Sequence, residues 1–118
     1  MQALRLVLSL LALAVGTAAA YAHAHLDHAS PLVGSVVSAA PNEVRIWFTQ
    51  ALEPRFTSAQ LRSSAGAVVA TGGVDQADPK QVVIPVHGLA PGKYKVYWKI
   101  LSVDSHRTEG NFGFEVKP

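Results

Sequence analysis

The residues with most chemical capacity sit in two groups far apart in the chain. His23, His25 and His28 cluster near the start, and Asp104-Ser105-His106 adds a carboxylate and a further imidazole far downstream. The first cluster gains weight from the segment before it. Arg5 opens a short basic start, Leu6 to Val15 is apolar, and Ala20-Tyr21-Ala22 has the small-x-small pattern of a signal-peptidase site. A cut after Ala22 makes His23 the first residue of the mature chain. Its α-amine and its imidazole Nδ1 then close a chelate ring on one metal. A cut after Ala24 also satisfies the small-residue rule and would remove that chelate. With the first cut, three imidazoles (His23, His25 and His106), one amine and the Asp104 carboxylate form a nitrogen-rich set suited to Cu(II) in a tetragonal arrangement. Zn(II) can take the same donors tetrahedrally, so donor type alone leaves both metals open.

Each histidine also has a plainer reading. His23 and His25 can belong to a solvated terminus. His28 has the wrong parity relative to the other two and reads as an exposed loop residue, as does His87 before Gly88. His106 beside Asp104 can be an ordinary hydrogen-bonded pair at a strand end. A second copper mode uses the same terminus. In His23-Ala24-His25 the amine, two deprotonated amides and the third-position imidazole can wrap Cu(II) in a square plane without help from any fold.

The elements that must position these groups are strands. Asn42 to Thr49 alternates, with Val44, Ile46 and Phe48 on one face. Lys93 to Ile100 places Tyr94, Val96, Trp98 and Ile100 together, and Asn111 to Lys117 does the same with Phe112, Phe114 and Val116. Gln81 to Val86 is a short apolar run, and weaker strands are expected at 58–62 and 67–71. This period of two marks half-buried strands. Turn signals separate them, at Ser30-Pro31, Pro41-Asn42, Ala65-Gly66, Gly72-Gly73, Asp78-Pro79 and Pro91-Gly92. The pattern predicts an all-β antiparallel sandwich, with Trp98 as its deepest aromatic. Ala51 to Phe56 breaks the alternation and reads as a loop or short helical turn. Asp104 and His106, two apart in an extended segment, would point the same way from the rim.

Composition bounds the rest. Residues 1–22 read as a helical signal peptide, and residues 23–118 form one domain of 118 − 22 = 96 residues, enough for one core. No later stretch is long enough to span a bilayer, so no membrane insertion is expected after cleavage. Without Arg5 the chain keeps 9 basic and 8 acidic side chains, a formal +1 that gives no electrostatic case for nucleic acid or anionic membrane. Cysteine is absent and Met1 is the single methionine, so the mature chain offers no sulfur ligand to Cu(I).

The motifs together carry a family resemblance. H-A-H-L-x-x-A-x-P from His23, A-P-x-x-V-x-I-x-F from Ala40, L-x-P-G-x-Y-x-V-x-W from Leu89, S-x-D-x-H from Ser102 and G-x-F-x-F-x-V from Gly110 follow in order. The chain from His23 to Val116 thereby resembles the CopC-type periplasmic copper-binding proteins. The resemblance implies an immunoglobulin-like Greek-key β-sandwich of about seven to nine strands. It also implies a site for one Cu(II) ion at His23, His25, Asp104 and His106, with no catalysis. The role it implies is copper sequestration, homeostasis and resistance, or delivery to an inner-membrane copper importer. Two features depart from the family pattern. The methionine-rich Cu(I) loop is absent, and Gln50 stands in Phe48-Thr49-Gln50 where many relatives carry a glutamate suited to orient a ligand histidine. Two other function classes share the residues. One is a copper monooxygenase with an N-terminal histidine brace, for which a 96-residue sandwich with a ligating aspartate leaves little room. The other is a metal-free interaction domain.

Overall fold

In the computed structural model, residues 24–118 are described; the expected signal segment, its cleavage point and His23 lie outside them. Eight strands follow in order: β1 (Leu26–Ser30), β2 (Val36–Val37), β3 (Glu43–Phe48), β4 (Ser58–Ser63), β5 (Val68–Val74), β6 (Gln81–Pro85), β7 (Gly92–Leu101) and β8 (Arg107–Val116). A 3-10 turn, Pro54–Phe56, occupies the segment where the alternation breaks. The spatial order is β1-β3-β6-β5-β4-β7-β8-β2. β4, β5 and β6 are successive neighbours and β3 returns beside β6, which is a Greek-key order. All pairs are antiparallel except β2 with β8, where Val36 and Val37 lie parallel to Glu115 and Val116.

One strand belongs to both layers. Ala59 to Leu61 of β4 pair with the first part of β5, while Gly73 and Val74 pair with Val83 and Val82 of β6. The hydrogen-bonded ribbon therefore folds over at β5 into a β1-β3-β6 layer and a β4-β7-β8-β2 layer. The expected turn at Gly72-Gly73 is this crossing instead, within a continuous strand. The glycine is required by contact: a Cβ on Gly72 would stand 2.0 Å from the Val83 carbonyl oxygen.

The apolar faces meet between the layers. Val44, Ile46, Leu61, Val82, Ile84 and Val96 are completely buried, with Phe48, Phe112, Phe114 and Val116 nearly so. Each such side chain contributes about 1.5–3 kcal/mol of burial free energy. The predicted faces of β3, β7 and β8 hold, with one exception. Trp98 is only partly buried, whereas Phe48 is 3 % exposed and Phe114 3 %. Trp98 lies opposite Gly110, which supplies no side chain, and β2 extends the sheet beyond β8 only at Glu115 and Val116. Its ring covers Gly110 and meets Phe48 edge-on at 5.2 Å.

Two further differences have local causes. β8 begins four residues before the predicted start, because Arg107 to Gly110 pair with Leu101 to Trp98 although Thr108 and Gly110 give them no apolar pattern. His28 is exposed as expected but sits in β1, not in a loop. A register shift between Leu26 and His28 resets the parity. The His28 ring stacks on Trp47 at 4.3 Å, and its Nδ1 is 2.7 Å from the Asp27 carboxylate. On the same layer Arg45 joins β3 to the β5–β6 hairpin, donating to Asp75 at 2.5 Å, to Gln81 at 2.8 Å and to Glu43 at 3.1 Å.

Candidate metal centre

The chain enters the fold as a strap across one end of the sandwich. Ala24 is buried, and its carbonyl accepts a 3.5 Å bond from Thr108 Oγ1 at the start of β8. His25 N donates to Thr49 Oγ1 at 2.9 Å, and Thr49 N donates back to the His25 carbonyl at 2.9 Å. Residues 24–25 are thus held between the end of β3 and the start of β8, and the His25 residue is exposed.

Asp104 and His106 occupy the turn between β7 and β8, at the same end. The turn is anchored to the other connection of that rim: Ser102 bridges Leu52, Val103 N donates to the Ala51 carbonyl at 3.1 Å, and Glu53 N to that of Leu101 at 2.8 Å. The segment is a tight turn, not the extended segment that the two-residue spacing predicts. Ser102 N donates to the His106 carbonyl at 3.0 Å, Ser105 N to the Ser102 carbonyl at 2.9 Å, and Ser105 has φ 70°. A non-glycine residue in the left-handed region is uncommon, and it tightens the chain here. This turn, not strand parity, brings His106 Nδ1 to 3.3 Å from Asp104 Oδ1.

In the sequence Ser102 stands out only as the start of the S-x-D-x-H motif; the structure shows that it fixes this pair. Ser102 is fully buried, and its hydroxyl donates to Asp104 Oδ1. That bond, ahead of the neighbouring His106, holds the Asp104 carboxyl below its ordinary pKa. Asp104 therefore stays ionised and acceptor-only through neutral pH, the state a cation requires. Its contribution to the turn is present above the unfolded-state pKa and is lost as pH falls through the lowered folded value. Ser102→Ala is expected to raise the Asp104 pKa toward that of a free aspartate. A carbon-detected NMR titration of the side-chain carboxyl in metal-free protein measures it; an unchanged midpoint would remove Ser102 from this role.

Of the four predicted ligands, the structure brings Asp104 and His106 together and fixes the backbone of His25 on the adjoining strap; His23 lies outside the described residues. Among the described residues no group of three histidine, aspartate or glutamate side chains gathers as a metal site. His87 is exposed on the connection between β6 and β7. Thr49, which anchors the strap, carries no signal in the sequence beyond its position at a strand end, and Thr108, ahead of the predicted start of β8, carries none.

Comparison with known proteins gives a consistent result. A family model described as the CopC domain matches residues 26–117. Protein YobA of Escherichia coli K12 is 34% identical over 119 residues, spanning 98% of this chain and 96% of that protein. Copper resistance protein C of Pseudomonas syringae pv. tomato is 35% identical over 113 residues, spanning 86% of each. The crystal structure of CopC from Methylosinus trichosporium OB3b superposes with a TM-score of 0.76 at 32% identity, covering 81% of this chain and 95% of that one. PcoC from Escherichia coli, described as a methionine-rich copper resistance protein, superposes with a TM-score of 0.71 at 34% identity, covering 81% and 100%.

Proposed function

Because this chain belongs to the CopC family, we propose that it is an exported copper carrier that holds one Cu(II) ion at the rim of the sandwich. The ligands are the His23 amine and imidazole, the His25 imidazole, the Asp104 carboxylate and the His106 imidazole. The observation that carries this reading is the turn after β7, which keeps an ionised Asp104 carboxylate 3.3 Å from the His106 ring beside the strap that bears His25. Amine, imidazole and carboxylate match Cu(II) in hardness, and the absence of sulfur after Met1 sets this chain apart from a methionine-rich relative. Cleavage after Ala22 releases the chain into the periplasm, where it sequesters copper for homeostasis and resistance or passes it to an inner-membrane importer. It acts as a binder, not a catalyst: five donors leave little of a Cu(II) coordination sphere open for oxygen.

The test is aerobic Cu(II) and anaerobic Cu(I) titration of protein exported and processed in cells, with intact mass and electron paramagnetic resonance. One Cu(II) per chain, much weaker Cu(I) binding and a mass beginning at His23 are expected. Acid should release the ion as protons compete for imidazoles and amine, whose ordinary pKa values are ~6.5 and ~7.7–8.0. A mass beginning at His25, or preference for Cu(I), would overturn the assignment.

A further inference from the structure

The near-neutral sum of charges conceals a segregated surface. Of the 9 basic side chains after residue 22, six line three adjoining depressions on the outer face of β4, β7 and β8: Arg55, Arg62, Lys93, Lys95, Lys99 and Arg107. Of the 8 acidic side chains, Glu109 lines these depressions, and Glu115 stands opposite Lys93 at their far end on the same face. The depressions, of about 480, 550 and 300 Å³, share Ser58, Lys99 and Glu109 at one junction and Arg62 and Tyr97 at the other, so they form one trough. Strand register explains the alignment. Ser58, Lys99 and Glu109 form one row across the three strands, Gln60, Tyr97 and Asn111 the next, and Arg62 and Lys95 the third. Among the described residues none of the six basic groups is in an ion pair; Arg62 bonds Gln60 and lies over the Tyr97 ring at 4.5 Å.

The acidic groups of the opposite layer are already engaged. Glu43 and Asp75 are held by Arg45, and Asp27 by His28. Asp78 accepts from the Lys80 amide and from Gln81, so this layer of a second copy offers the trough little negative charge that is not already engaged. The trough is concave and follows the strands, so it suits a polypeptide in extended form better than a bilayer, which would meet only the protruding groups. From Lys99 to Lys93 is six residue steps of about 3.3 Å, a span of roughly 20 Å that six or seven extended residues would fill. Its Arg55–Arg107 end abuts the candidate metal rim, since Arg107 follows His106 and Thr108 bonds the Ala24 carbonyl.

We propose that this trough docks an extended acidic segment of a protein partner, laying that partner against the rim bearing Asp104 and His106. The docking stands on charge and shape alone; only what is exchanged there rests on the copper reading. Complementary charge of this kind sets encounter rate and orientation more than raw affinity, and it is weakened by salt.

The probe is a fluorescein-labelled octaglutamate peptide, titrated by anisotropy and by ¹⁵N chemical shifts into metal-free mature protein at low and physiological ionic strength. Shifts confined to β4, β7 and β8 are expected. Binding should fall at least tenfold in R62Q/K95Q/K99Q and less than twofold in K80Q/K117Q, a control with charges removed elsewhere. Equal weakening in the two variants, shifts spread over the β1-β3-β6 layer, or no binding at low salt would each overturn the proposal. So would co-sedimentation with phosphatidylglycerol vesicles without peptide binding, which would make the trough a lipid surface. Because these measurements use metal-free protein, they stand or fall apart from copper binding; a parallel Cu(II) titration of R62Q/K95Q/K99Q, expected to match wild type, keeps the two claims separate.

Discussion

Adding one alanine ahead of His23 is expected to change the Cu(II) spectrum and lower affinity roughly a hundredfold, equivalent to about 2.7 kcal/mol. In the mature chain proposed to begin at His23, the extension would convert that residue's amine into an amide and move His25 from the third to the fourth position. The amine–imidazole ring at residue 23 can no longer close, and the square-planar wrap through the third-position imidazole is lost too. Folding is expected to be unaffected by the same change, since among the described residues the strap is held through the Ala24 carbonyl and the His25 amide. His106→Ala should act more gently, weakening binding about tenfold while the terminal donors persist. Competition titration against a chelator, with electron paramagnetic resonance of each variant, reads both effects. An unchanged spectrum on extension would exclude the terminus from the site.

Gly72→Val is expected to be the most damaging single substitution outside the core, destabilising the fold by more than about 3 kcal/mol, the upper end of the usual range for overpacking. A Cβ at this position would stand 2.0 Å from Val83 O and 2.8 Å from Ile84 Cα, both backbone atoms that no rotamer change can move. Relief requires β5 to part from β6, and with it the join between the two layers. Gly73, one residue on, has its nearest such neighbour at 3.8 Å, so Gly73→Ala is expected to change stability by less than about 1 kcal/mol. Urea unfolding followed by Trp fluorescence compares the two variants. Equal stability of Gly72→Val and wild type would mean that the crossing is held elsewhere.

Much of this architecture was legible because the strands are half-buried. Val44, Ile46 and Phe48, like Phe112, Phe114 and Val116, alternate with less buried partners, and period-two patterning reports such faces directly. It cannot report what a long-range neighbour omits. The exposure of Trp98 depends on Gly110 opposite it and on how little of β8 is flanked by β2. The start of β8 carries no apolar signal, and the crossing of β5 looks like a turn because glycine serves both purposes. At the rim, the S-x-D-x-H spacing named Asp104 and His106 but not the geometry that joins them. That geometry comes from a left-handed Ser105 and a buried Ser102 hydroxyl, which are products of tertiary packing. The charge total was legible as well. The excess of six basic over two acidic groups on one sheet face follows from strand order, which composition does not encode.

The hydrogen bond from the His25 amide to Thr49 sets the folded protein against its own unfolded chain as a ligand. The square-planar wrap of His23-Ala24-His25 needs the His25 nitrogen deprotonated, but in the fold that nitrogen donates its proton to Thr49 Oγ1 at 2.9 Å. Folding therefore disfavours one coordination mode and reserves the imidazoles for another, while the unfolded chain is free to use the wrap. A ligand that binds both states stabilises the native one only by the difference between its two affinities. Copper should accordingly raise the melting temperature of this protein by less than the tightness of the folded complex implies, and the shortfall measures how well the denatured terminus competes for the ion.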